Sequence, residues 1–114
     1  MNRTVLIFLL LFSSVAIAET SYCNELNEKT KDLGWHRPYI AEVTGSGRLY
    51  FFTAPNAQCE NKNLFIVPTN QVTIYNEYEG YSQISYSSKS DDYSAWVRSE
   101  RLKIIAKPNE PFVP

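Results

Sequence analysis

The hydrophobic positions of this chain fall into three regimes. Residues 5–12 are continuously apolar. Residues 19–34 are polar, with Leu26, Thr30 and Leu33 at helical spacing, Asn24 as a candidate N-cap and Gly34 placed as a C-terminal stop, which predicts one short helix or arm. From Pro38 onward, short runs rich in Tyr, Phe, Val and Ile are broken by turn residues, the pattern of an all-β domain. The predicted strands are Tyr39–Thr44, Arg48–Thr53, Leu64–Val67, Val72–Glu77, Ser82–Ser87, Ser94–Arg98 and Leu102–Ala106. Gly45-Ser46-Gly47 reads as a flexible turn, Glu79-Gly80 as a tight hairpin and Ser88 to Asp92 as a hydrophilic hairpin tip. Val72, Ile74 and Glu77 alternate with Thr73 and Tyr75, and Ile84 and Tyr86 with Ser85, so each strand turns one face to a core. The prolines of the final residues exclude a central strand there.

The apolar run at the start follows Arg3 and ends in small residues at Ala16 and Ala18, the layout of a secretory signal peptide cleaved after residue 18. It is shorter than the ~20 residues a bilayer requires, which disfavours a stable membrane anchor. The expected division is therefore a signal peptide (1–18), an arm or short helix (19–36), a small β-barrel (37–106) and a flexible tail (107–114). The product is expected in the periplasm or outside the cell.

Charge narrows the partners. The chain has 11 basic and 12 acidic residues, and Arg3 leaves with the signal. The remaining cations, such as Arg98, Arg101 and Lys103 around Glu100, are interleaved with acids, which argues against nucleic acid. Two cysteines, Cys23 and Cys59, in an oxidising compartment predict one disulfide tying the arm to the body.

Enzymatic chemistry finds little support. His36 is the only histidine, no serine stands in a G-x-S-x-G setting, and Gly45-Ser46-Gly47 precedes a strand where a phosphate loop would open a helix. One histidine and a disulfide make no Cys/His metal set, and an oxygen-ligand calcium loop is absent. No cofactor or metal is expected. Aromatic density stands out instead: rings with polar tips suit recognition surfaces, although they also fill β-cores. Tyr50, Phe52, Tyr86 and Trp96 are the expected core members. Tyr75, Tyr78, Tyr81 and Tyr93, near turns, together with Glu77, Glu79, Asp91 and Asp92, are the expected partner-binding residues.

The order of segments Arg48-Leu49-Tyr50-Phe51-Phe52-Thr53-Ala54-Pro55, Val72-Thr73-Ile74-Tyr75, Gly80-Tyr81-Ser82-Gln83-Ile84-Ser85-Tyr86 and Ala95-Trp96-Val97 with Leu102 resembles the bacterial SH3-like (SH3b) domain over about residues 47–105. Tyr81 stands where that family more often has Trp, and Ala95 where Gly is usual. The resemblance implies a barrel of five or six strands that binds and does not catalyse. In a stand-alone exported protein it implies an immunity protein that occludes a secreted toxin or a cell-wall hydrolase. A peptidoglycan-binding module and a lysozyme-type inhibitor are the alternatives.

Overall fold

Burial alternates over Ile40–Val43 and Val72–Ile74 as the sequence pattern requires, and one face of the resulting sheet encloses a core. The computed structural model describes residues 20–31, 33 and 38–107; the expected signal peptide, His36 and the tail beyond Lys107 lie outside the described residues. The strands are β1 (Tyr39–Val43), β2 (Leu49–Phe52), β3 (Glu60–Ile66), β4 (Gln71–Tyr78), β5 (Tyr81–Ser87), β6 (Asp92–Arg98) and β7 (Leu102–Ala106). Single 3₁₀ turns at Ala57–Cys59 and Ser99–Arg101 precede β3 and β7. All pairings are antiparallel, in the order β3-β2-β6-β5-β4-β1-β7. Every predicted strand has its counterpart. The largest difference is β3, which starts at Glu60 where the sequence suggested Leu64, because an edge strand with five exposed residues carries no apolar alternation to read.

The core joins Ala41 and Val43 of β1, Leu49 and Phe51 of β2, Ile66 of β3, Val72 and Ile74 of β4, Ile84 of β5 and Val97 of β6. In a flat sheet β1 and β3, five strand steps apart in this order, would be separated by about 24 Å. Their union in one cluster requires the sheet to coil around its own inner face, as the strand twist allows. The coil is not closed, which corrects the expectation of a complete barrel. β3 and β7 remain edges, and β2 meets β6 at one residue pair, Phe52 with Trp96. A side chain ties the turn before β7 to the loop between β1 and β2. The Arg101 guanidinium donates to the carbonyls of Thr44 (2.6 Å) and Gly47 (2.7 Å), in the loop between β1 and β2. Gly45 makes room for it: its φ is +82°, and a Cβ there would stand 2.6 Å from Arg101 Nε.

The outer face is covered by a helix over residues 20–30 (α1). Cys23, Leu26, Asn27 and Thr30 recur at helical spacing and face the sheet; Leu33, expected on this stripe, is exposed. Asn24 lies inside the helix and is not its N-cap. The disulfide Cys23–Cys59 ties α1 to the turn before β3 and packs with Ala54 and Leu26. Beneath α1 runs a row of cross-strand partners, Phe52, Trp96, Gln83 and Asn76. Trp96 Nε1 donates to Asn27 Oδ1 at 2.8 Å, and Asn76 Nδ2 donates to the carbonyls of Thr30 and Lys31, both at 2.9 Å. Asn76 therefore adds donors to backbone acceptors at the end of the helix, where intrahelical donors run out.

A β-bulge makes this possible. The register of β4 on β5 shifts between Ile74 and Asn76, so Ile74 pairs with Ile84 on the core side while Asn76 pairs with Gln83 on the helix side. Plain alternation would have sent Asn76 into the apolar core with Val72 and Ile74.

Candidate functional site

The eight residues expected to bind a partner do not form one surface. Glu77, Tyr78 and Glu79 sit at the β4–β5 turn, whereas Asp91 and Asp92 sit at the β5–β6 turn. These turns are at opposite ends of the seven-residue β5, about 20 Å apart. Tyr81, expected on the surface, is 8 % exposed and packs edge-on against Phe52, 5.1 Å between centroids, in a cluster with Trp96. The cause is strand parity: Tyr81 lies on the same face of β5 as Gln83, where Phe52, Tyr78 and Arg98 cover it. Tyr78 is half-buried beside the same cluster. Of the expected core aromatics, Phe52 and Trp96 are buried, whereas Tyr50 and Tyr86 are half-buried.

Tyr93 and Tyr75 take a different place. Tyr93 is half-buried against Phe51, 6.2 Å between ring centroids, and lines two adjoining cavities. The Tyr75 hydroxyl is hydrogen-bonded to Ser94 Oγ, and Ser94 lines the larger of the two. That cavity, about 300 Å³, opens where the chain leaves β2 at Thr53, whose N–H bonds back to the Cys59 carbonyl. Asn24 and Asn27 of α1, Asn61 of β3 and Gln83 of β5 bring four neutral amides to its lining, together with Tyr93 and Trp96. The second cavity, about 230 Å³, continues past Leu64 and Phe65 to Tyr86 and Ser88. The two share Phe51, Leu64 and Tyr93 and make one trough along β6.

The trough exists because two strand registers fail side by side. β2 pairs with β6 only at Phe52, and on its other edge its pairing with β3 jumps from Phe65 to Asn61, leaving residues 62–64 bowed away. Asp91 is at the far end of the trough: its N–H donates to Ser88 Oγ, and its carbonyl accepts from the Ser88 N–H at 2.8 Å. Asp91 and Asp92 have no ion pair among the described residues, where the only one is the exposed Lys31–Glu28 pair. No cluster of three or more His, Cys, Asp or Glu that could hold a metal occurs among the described residues, and no described helix is long and apolar enough to cross a membrane.

The sequence assigns none of Asn24, Asn27, Asn61 and Gln83 to a binding site; Asn24 reads there only as a candidate N-cap. Asn24 and Asn27 share a helix face, but what that face opposes depends on contacts such as Asn27 with Trp96, 69 residues apart. Compared with known proteins, the chain matches no family model, no curated protein and no solved structure.

Proposed function

We propose that this chain is an exported, non-enzymatic binding protein that neutralises a cell-envelope-directed effector, as an immunity or inhibitor protein of the periplasm. The observation that carries the reading is the trough along β6, a preformed concavity with aromatic walls and fixed polar groups on a scaffold clamped by a disulfide. Recognition sites have this composition, with apolar and aromatic walls for affinity and a few placed polar groups for orientation. Rigid elements on both sides reduce the ordering cost of association, which favours an occluding binder. We further read the coiled sheet as an opened relative of the SH3-like barrel, on the order of its segments and the coil around one core.

A second reading, a peptidoglycan-binding module, is favoured by the four amides beside Trp96 and Tyr93, since neutral amides with aromatic rings suit the hydroxyl and acetamido groups of wall sugars. One experiment separates the two. The oxidised protein, without residues 1–18, is used as bait in an envelope extract of its own organism, and in parallel is sedimented with purified peptidoglycan. Stoichiometric recovery of one protein supports the inhibitor reading; co-sedimentation without a protein partner supports the wall-binding reading and refutes the first.

A further inference from the structure

We propose that the open edge of β6 takes up an extended peptide segment of a protein partner as an added strand. Its aliphatic side chains would enter the trough beside Leu64 and Tyr93, and a basic side chain at one end would meet Asp91 and Asp92. The proposal deepens the protein-binding reading above and rests on it.

Three observations converge. First, β6 pairs with β5 along its whole length, from Asp92 to Arg98, but on its other side β2 contributes one partner, Trp96 with Phe52. Over Tyr93, Ser94 and Ala95 that side has no strand, and the chain that would have continued there turns off at Thr53 toward the disulfide. An edge of this kind presents alternating backbone donors and acceptors, which another extended chain satisfies. Second, the edge does not lie open to bulk solvent on a flat surface. It forms one wall of the trough, with Leu64 and Phe51 as apolar neighbours, so side chains of an incoming strand have pockets to fill. Third, the ends of the trough differ in charge. The amide-lined end has no charged lining residue, whereas the other end adjoins Asp91 and Asp92, which outnumber Lys89 on the same turn and have no ion pair among the described residues. This favours a cation on the incoming segment at that end. From Asp92 to Ala95 the unpaired edge spans three residue steps, about 10 Å, room for a segment of about four residues.

The probe is a blocked seven-residue peptide alternating valine and serine, made with a lysine pair at either end. Two further forms are N-methylated at alternate residues, each losing the donors along one edge of the strand. Binding is followed by amide chemical shifts of the isotope-labelled protein. The expected result is that shifts centre on Tyr93, Ser94 and Ala95, and that one N-methylated form loses about tenfold or more in affinity while the other retains it. The double variant Asp91→Asn with Asp92→Asn is expected to bind the same peptide more weakly by about threefold to tenfold and with a flatter salt dependence. Equal affinity of both N-methylated forms, shifts centred elsewhere, or absence of peptide binding overturns the proposal. So does a tetramer of N-acetylglucosamine that moves the Tyr93–Ala95 amides when the peptide does not, which assigns the trough to glycan. If bait recovery from the envelope extract yields a stoichiometric protein whose binding leaves those amides unshifted, the strand-addition proposal fails while the protein-binding reading stands.

Discussion

Replacing Asn76 tests how the helix is fastened to the sheet. Its side-chain Nδ2 stands 2.9, 2.9 and 3.0 Å from Thr30 O, Lys31 O and Gln83 Oε1, three acceptors that share its two N–H hydrogens, and its own Oδ1 is buried without a partner. Asn76→Ala removes the bonds to the Thr30 and Lys31 carbonyls and to Gln83 Oε1, although Thr30 O keeps the donor it has in the Leu33 N–H at 3.1 Å. Each lost hydrogen bond is worth about 0.5–1.5 kcal/mol. Removing the unpartnered Oδ1 offsets part of the loss, so the net expectation is a destabilisation of about 2–3 kcal/mol. For a domain of this size that lowers Tm by about 10–20 °C. Asn76→Asp, nearly identical in shape, is the sharper perturbation because it sets an acceptor against acceptors. Ionised there, it has the character of a buried unpaired charge, worth about 3–5 kcal/mol, so at pH 7 it is expected to be worse than Asn76→Ala. The folded state will hold the introduced carboxyl protonated, with its pKa raised above the ~3.9 of the unfolded chain. Protons are then bound preferentially by the folded form. Stability of this variant is full below about pH 4 and is lost as pH rises through the folded-state pKa, on top of the pH dependence of the wild type. The assay is urea unfolding followed by circular dichroism from pH 3.5 to 8. An Asn76→Asp protein no less stable than Asn76→Ala at pH 7, or one that weakens on acidification relative to wild type, refutes this account of the clamp.

Removing the disulfide as Cys23→Ala with Cys59→Ala is expected to cost about 4 kcal/mol from the chain entropy of a 36-residue separation, measured as a shifted urea midpoint against the oxidised protein. Tyr81→Ala is expected to lower stability by about 3–5 kcal/mol, because the buried ring packs with Phe52 and Trp96; an unchanged Tm would return Tyr81 to the list of surface residues. Gly80→Ala tests backbone conformation alone: φ is +85° and a Cβ meets nothing within 4 Å, so about 1 kcal/mol is expected from strain, read by thermal melting. Trp96→Phe keeps most of the packing but strands Asn27 Oδ1 and is expected to cost about 1–2 kcal/mol, with faster amide hydrogen exchange in residues 20–30.

The sequence by itself determined the strand set. Alternation at Val72 and Ile74, or at Ile84, is a local signal with a period of two residues, and a face of a strand can be read without knowing its neighbours. The disulfide followed equally from two cysteines in a chain read as exported. Strand β3 was only half legible because an edge strand, exposed on most of its length, imposes no hydrophobic pattern. Tyr81 is misplaced by the sequence reading because the alternation reveals that a strand has two faces but not that Phe52, Tyr78 and Arg98 close over the second one. Only the tertiary structure decided where the bulge at Ile74–Asn76 reverses the parity of β4, that the sheet coils without closing, and that two registers fail next to each other to open the trough. Those features join residues such as Asn27 and Trp96, or Cys23 and Cys59, that are remote along the chain. Their free energy depends on which elements meet, and no periodicity within a single segment encodes that choice.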